Sequence, residues 1–381
     1  ARSSQLKDEL KEGIERACWG VREDTQRMEG SARSRPAMVG FRPARLAAVE
    51  LGGTTLRVAI AKGLPTNIVT RATFVCDVPE ATLGKVRAWL ACQTFDALGV
   101  ASFGPIEPRP SQPKYGFITT TPKPGWRDVD VLGGLGAFAF GVPVVFDTDV
   151  NAPAVSEFRA AAAVDESLTS CAYITIGTGV GVGLVVSGLP VHGMLHPEGG
   201  HCPMPAAPGD TWCCPLDLAI PNGVEAYVSA PALASRAGVS QAELATLSDS
   251  DPMWEYTAYY LAVLCANLVL LTSVERIVIG GGVMARASLY PKVRAQLLAI
   301  LNGYLQLDQL THAGVNEFIV PPAHGADAGL VGALTMAHDA LAAAHEARRR
   351  ARSRTLSSPF SWGVALGAAL LVGVQVGRKL R

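Results

Sequence analysis

The feature that most constrains this chain is a strand, a glycine turn and a second strand, met twice in widely separated parts of the sequence. Apolar runs at Leu46–Leu51 and Leu56–Lys62 flank Gly52-Gly53-Thr54-Thr55, and runs at Ala172–Ile176 and Val180–Ser187 flank Gly177-Thr178-Gly179. Short apolar runs bounded by glycine read as strands. Their recurrence is an internal repeat and predicts two similar lobes with a cleft between them. A glycine without Cβ lets backbone N–H groups come close to a phosphate, but an ordinary hairpin explains either turn equally well. The Walker lysine is missing, and no GxGxxG lies between a strand and a helix. The P-loop and dinucleotide readings therefore fail.

The pattern between and after these units is α/β. Further strands fit Asn67–Phe74, Ala97–Ser102, Val142–Asp147, Arg276–Ile279 and Phe318–Val320. Helices fit Glu80–Cys92, Asn151–Ala163, Val283–Leu301 and Asp327 to about Ala344, with a mostly helical stretch over Val224–Ser273. The resulting division is an extension over 1–44, a first lobe over 45–155, a second over 156–342, a basic linker over 343–359 and an apolar segment over 360–377. Equal numbers of acidic and basic residues, 33 each, leave no surplus of positive charge for phosphate backbones. A general nucleic-acid binder is excluded on that ground. Eight cysteines spread through a long chain fit reduced thiols better than a disulfide frame.

Three constellations carry chemistry. Phe146-Asp-Thr-Asp-Val-Asn151 ends a buried strand with two carboxylates and an amide, the place where open α/β sheets hold functional groups. Capping of the next helix by Asp147 or Asp149 is the structural alternative. His196-Pro-Glu-Gly-Gly-His201 exposes Glu198 between two imidazoles, as a site or as a polar turn. Cys202, Cys213, Cys214 and Asp217 follow, which raises zinc, although no C-x2-C is present. Gly280-Gly281-Gly282 closes a strand. Phosphoryl transfer needs such parts: backbone donors and a metal at the phosphates, an oriented hydroxyl and a carboxylate to take its proton.

Seven segments in order then resemble the motifs of the ROK family, with its bacterial-type fructokinases the most similar subgroup. They are Glu50-Leu-Gly-Gly-Thr, Ser102-Phe-Gly-Pro105, the Tyr115–Trp126 segment with Thr-Thr-Thr-Pro-Lys-Pro-Gly-Trp, Phe146–Asn151, Ile174–Gly183, His192–His201 and Gly280-Gly-Gly-Val-Met284. The resemblance spans roughly residues 45–342. It implies a two-lobed, actin-like ATPase fold of the ribonuclease H-like kind with a central cleft, and transfer of a phosphoryl group from Mg2+-ATP to a hexose, fructose first. By the same resemblance Asp149 is the catalytic base. Gly52, Gly53, Thr54 and Thr55 and Gly177, Thr178 and Gly179 cradle the ATP phosphates, and Gly280, Gly281 and Gly282 border the adenosine. Glu50 stands near the magnesium. Thr121, Glu198, His201 and Glu225 are the implied sugar-binding residues.

This sequence departs from the family pattern in two places. A zinc site is implied by His201 with Cys213 and Cys214, but Gly223 stands where the last cysteine belongs and the segment is longer. Apolar Leu216, Leu218 and Ile220 are candidates to replace the lost metal by packing. Thr55 occupies a position where lysine is common, which removes a cation near the phosphates.

The chain starts at Ala1, so an upstream segment is expected to be missing or removed; a mixed-charge helix from Leu6 to Cys18 and an Arg-rich linker fit what remains. Phe360–Gly377 carries no charge and is followed by Arg378, Lys379 and Arg381. About 18 helical residues span roughly 27 Å, near the thickness of a bilayer core. A C-terminal anchor in an organelle membrane is the resulting expectation, with Arg348–Ser358 as its juxtamembrane run. The second class of function is a kinase-derived, non-catalytic subunit docked on a membrane complex by that helix. Family members often form dimers, so a homodimer is a further expectation from the resemblance.

Overall fold

The computed structural model describes residues 42–356. The helix expected over residues 6–18 and the apolar stretch over 360–377 both lie outside the described residues. Twelve strands run in chain order within them: β1 (Arg45–Leu51), β2 (Thr55–Lys62), β3 (Ile68–Val75), β4 (Ala97–Ser102), β5 (Phe117–Ile118), β6 (Val129–Asp130), β7 (Val144–Thr148), β8 (Cys171–Ile176), β9 (Val180–Val186), β10 (Leu189–Pro190), β11 (Ile277–Gly280) and β12 (Ile319–Val320). They form two five-stranded sheets, β3-β2-β1-β4-β7 and β10-β9-β8-β11-β12, and a small pair, β5-β6. In each large sheet the first three strands are antiparallel neighbours and the last two run parallel to the first. The repeat seen in the sequence is therefore a repeat of whole sheets.

The central strands are apolar on both faces because both faces are covered. Leu46, Ala48, Ala59, Ala97 and Ala101 of the first sheet pack against Leu330, Leu334 and Leu341 of the final helix, Ala328–Leu356. In the second sheet Cys171, Tyr173 and Val185 pack against Val150, Ala154 and Val155, at the start of the Asn151–Ala162 helix. A division at 155 follows order along the chain, and the packing crosses it in both directions. The helix that follows β7 lies on the second sheet, and the last helix returns to the first. The two helices cross at Gly332, where a Cβ would stand 2.3 Å from the carbonyl carbon of Ala152. Only glycine permits that approach.

Several expected elements differ in extent. The stretch over Val224–Ser273 is broken into helices Glu225–Val228, Ala230–Ala237 and Met253–Thr272, because Gly238, with φ of 67°, ends the second. Met253–Thr272 is the one helix among the described residues long and apolar enough to cross a bilayer, yet Trp254, Tyr260, Leu261 and Cys265 sit in the protein core. The helix expected from Val283 starts at Leu289 instead. Gly281 turns the chain with φ of 93°, a single 3-10 turn follows, and Arg286 adopts an extended backbone. Its guanidinium donates to the carbonyls of Leu244 and Leu247, each about 3.0 Å away, and contacts Asp249. The described part of the basic linker, from 343 to 356, is a continuation of the last helix, which runs for 29 residues. Ion pairs of Glu346 with Arg349 and Arg350 span one turn of it.

Candidate active site

The parallel strands β4 and β7 end side by side, and the chain turns into the site at that edge. The amide of Asp149 donates to the carbonyl of Ser102 at the end of β4, at 2.9 Å. The two carboxylates of Asp-Thr-Asp have different partners. One oxygen of Asp147 accepts from the Thr148 amide at 2.7 Å and from Asn151 Nδ2 at 3.1 Å, and the other lies 2.8 Å from His192 Nε2. Asp147 is thereby committed to structure. Neither aspartate caps the following helix: the Thr148 hydroxyl takes the Asn151 amide, at 2.9 Å. Asp149 is left facing the cleft. Burial, then the nearby carboxylates of Glu50 and Glu198, push its pKa up to about 7.

Two cavities meet at Asp149. The first, of about 550 Å3, is lined by Gly53, Thr121, Glu198, His201 and Glu225 together with the Gly177–Gly179 turn. The second, of about 880 Å3, is lined by Glu50, Arg57, Tyr173, Gly329 and the Gly280–Gly282 turn. Asp149 and Thr175 wall both. The second cavity continues through Gly282, Ala285 and Ala287 into a third, of about 590 Å3, beside Gly177, Thr178 and Trp254. The two glycine turns and Asp149 thus share one connected crevice. Of the first turn, Gly53 reaches it, whereas Thr54 and Thr55 are exposed outside its walls.

The supporting contacts are specific. Glu225 accepts from the Val180 amide at 2.9 Å, so it anchors the second glycine turn. Glu198 lies 3.6 Å from His196 Nδ1 and 3.8 Å from His201 Nε2. Burial raises its pKa, and the two histidines oppose that shift. His196 Nε2 accepts the Ile106 amide at 3.0 Å, tying the Glu198 loop to the first lobe. Burial also raises the Glu50 pKa, against the pull of Arg57, whose Nη2 donates to Oε1 at 2.8 Å. Glu50 Oε2 is buried with an ionic contact to that guanidinium and no hydrogen bond. Glu50 lines the same cavity as Asp149 and its charge raises the pKa of that aspartate, so a divalent cation on the nucleotide would be attracted to this wall.

Zinc does not fit the residues present. Among the described residues no three His, Cys, Asp or Glu side chains come together as a metal-holding group, so His201, Cys213 and Cys214 form none. At Gly223, the position of the implied fourth ligand, a Cβ would stand 3.2 Å from His201 Cα. A side chain there would crowd the His201 backbone, and the glycine offers no sulfur. Nor do the apolar candidates substitute for the metal in the main, since Ile220 is exposed and only Leu218 packs on the core. The loop is held instead by Asp210, which receives Arg236 at 2.7 and 2.9 Å and the Tyr260 hydroxyl at 2.8 Å. The Arg236 guanidinium also stands 5.2 and 4.6 Å from the ring centroids of Trp212 and Tyr256.

Sequence reasoning missed Tyr173, Thr175, Arg57, His196 and Lys123, all of which line these cavities. Lys123 and His196 lie inside quoted motifs, so a signal for them was present. Tyr173 and Thr175 show only as strand residues.

Two sheets of one strand order, joined by crossing helices around a crevice with a carboxylate on its floor, define the actin-like ATPase class. Within that class the chain belongs to the ROK family, which its residues 46–340 match. It is 36% identical over 300 residues to a fructokinase of Pediococcus pentosaceus, an alignment covering 78% of this chain and 98% of that one. A fructokinase of Zymomonas mobilis is 35% identical over 302 residues, covering 76% and 95%. In fold the chain is similar to a ROK family glucokinase of Streptomyces griseus in complex with glucose and AMPPNP, with a TM-score of 0.59 at 21% identity, covering 77% of this chain and 99% of that one.

Proposed function

We propose that this protein is an ATP-dependent hexose kinase whose acceptor is fructose, and that Asp149 is its base. The observation that carries the reading is the position of that carboxylate at the junction of two cavities, one bordered by Glu198 and Glu225 and the other by three successive glycines. In the reaction a sugar hydroxyl oxygen forms a bond to the γ-phosphorus of ATP, the bond from that phosphorus to the β-bridging oxygen breaks, and ADP leaves. The hydroxyl proton passes to Asp149. Such a base need not be strongly basic, because it takes the proton as transfer proceeds.

In this reading Glu198, His201 and Thr121 orient the sugar, and Glu225 acts on it while fixing the second turn. Gly53 of the first turn and the Gly177–Gly179 turn hold phosphates, and Gly280–Gly282 border the adenosine. Glu50 is the residue that would stand beside Mg2+ on the nucleotide side, where the ion would neutralise charge on the phosphates. Fructose as acceptor is supported by the fructokinases to which the chain is more than a third identical. Closure of the lobes over the crevice would exclude water as a competing acceptor. The apolar segment 360–377 is the part of the reading that sets the enzyme on a membrane. The test of the function is ADP release by the full chain with fructose, glucose and mannose in turn, wild type against Asp149→Asn. Fructose-dependent release that the variant lacks supports it; equal release by both removes Asp149 from the role.

A further inference from the structure

Among the described residues the sugar-side cavity is lined by three carboxylates, Asp149, Glu198 and Glu225, but by a single lysine or arginine, Lys123. Phosphoryl transfer spreads negative charge over three oxygens at the boundary of the two cavities, and cations there lower the barrier. The arginines that line the nucleotide side are committed elsewhere. Arg57 donates to Glu50 at 2.8 Å and to the Ala326 carbonyl at 2.7 Å, and Arg294 donates to the Ile319 carbonyl at 2.6 and 3.0 Å. Thr55 supplies no charge at the first turn.

Lys123 is delivered from a segment fixed on one side by the Thr119 hydroxyl, which donates to the Pro105 carbonyl at 3.0 Å, and on the other by Trp126. Trp126 is fully buried, donates Nε1 to the Asp77 carbonyl at 2.9 Å and meets Phe103 edge-on at 5.3 Å. The Lys123 amide donates to the Thr121 hydroxyl at 3.3 Å. Its side chain then passes over the Phe103 ring, 5.7 Å from the centroid, to the carbonyl of Gly53 at the tip of the first glycine turn, beside the Cys76 thiol. A carbonyl, a ring and a neutral thiol are its partners, so these contacts leave its charge uncompensated. An ammonium held this way, against the turn itself, is poised for an anion arriving beside that turn.

We infer that Lys123 is the cation of the transfer step, leaving the Gly53 carbonyl for the oxygens of the transferred phosphoryl group once both cavities are filled. The inference rests on the kinase reading and deepens it. It also predicts which bound species the residue distinguishes: the phosphorylated sugar gains from Lys123, and the free sugar does not.

The experiment compares the full chain with Lys123→Gln and Lys123→Arg. Glutamine keeps a donor for the Gly53 carbonyl and removes the charge; arginine keeps the charge. With fructose and ATP, the glutamine variant is expected to lose about 100-fold in kcat, on the scale of removing one preorganised charge-stabilising group. Its KM for fructose and its Tm should stay near wild type, and the arginine variant should recover at least about tenfold of the loss. Calorimetry supplies a readout that does not need turnover: fructose 6-phosphate should bind the glutamine variant about tenfold more weakly than wild type, with fructose binding unchanged. Equal fructose 6-phosphate affinity in wild type and Lys123→Gln, or a glutamine variant as active as wild type, overturns the inference. Wild type that releases no ADP with any hexose, while still binding sugar phosphate through Lys123, points instead to failure of the kinase reading.

Discussion

The Arg236 guanidinium grips both carboxylate oxygens of Asp210, at 2.7 and 2.9 Å, in a loop where the family resemblance implies zinc. The Asp210 side chain is 1% exposed and that of Arg236 11%, so this is a buried pair. It fixes the segment leading to Glu225 through Tyr260 and the rings of Trp212 and Tyr256.

Breaking one partner of such a pair costs about 3–5 kcal/mol, because the other charge is left buried and alone. Asp210→Asn is therefore expected to lower Tm by many degrees, while incubation with a zinc chelator leaves Tm unchanged. Thermal unfolding with and without chelator checks both. Burial by itself would raise the Asp210 pKa, but Arg236, the Trp212 amide and Tyr260 together outweigh it and hold the value down. A depressed carboxylate stabilises the fold above its unfolded value and loses that contribution as pH falls through the folded one. The Tm difference between wild type and Asp210→Asn should accordingly shrink below the ordinary carboxylate range.

Asp149 gives the opposite sign. With a folded pKa raised to about 7, it binds more protons in the native state than in the unfolded chain between the ordinary carboxylate value and that pH. Stability contributed by the protonated form is lost as pH rises across that window. Asp149→Asn should thus raise Tm above wild type at pH 8 in the absence of nucleotide, with the gap closing towards pH 4. For activity, kcat/KM should climb as pH approaches 7 and level off above it, since the free enzyme must present the ionised base. A pH–rate profile flat from pH 5 to 8 would remove Asp149 as the titrating group.

Gly332 lies where the two lobe-crossing helices touch. Alanine at that position needs a Cβ within 2.3 Å of the Ala152 carbonyl carbon, so the helices must part. Overpacking of this kind costs about 1–3 kcal/mol. Gly332→Ala should lower the unfolding free energy from a denaturant titration by that amount and reduce kcat as well, because the same two helices set the geometry of the crevice.

The membrane part of the proposal is separable. The full chain should float with lipid vesicles in a density gradient, and the chain ended after residue 359 should stay at the bottom with its hexose-dependent ADP release intact. Co-flotation of the shortened chain would place the membrane contact in the body of the protein instead.

The parts of this molecule that rest on local pattern were readable from the sequence. Strands β1, β2, β4 and β9 show as apolar runs ended by glycine or by a polar residue, and each was placed within a residue or two. Relations between distant segments were not readable. Nothing in Phe-Asp-Thr-Asp says that His192 will occupy Asp147 and leave Asp149 free, since 45 residues separate that pair. The Asp210–Arg236 lock likewise needs the path of a loop across 26 residues. The late start of the Leu289–Leu301 helix depends on where Arg286 finds carbonyls to bind, which is a tertiary choice overriding local propensity.

The most direct test of the central claim is single-turnover transfer from γ-labelled ATP to fructose by full-length wild type and Asp149→Asn, with fructose affinity measured on the same samples. Labelled fructose 6-phosphate formed by wild type and lost by at least about 1000-fold in a variant that still binds fructose is the predicted result. Transfer by the variant at the wild-type rate would contradict the account, and so would tight fructose binding by a wild type that moves no label.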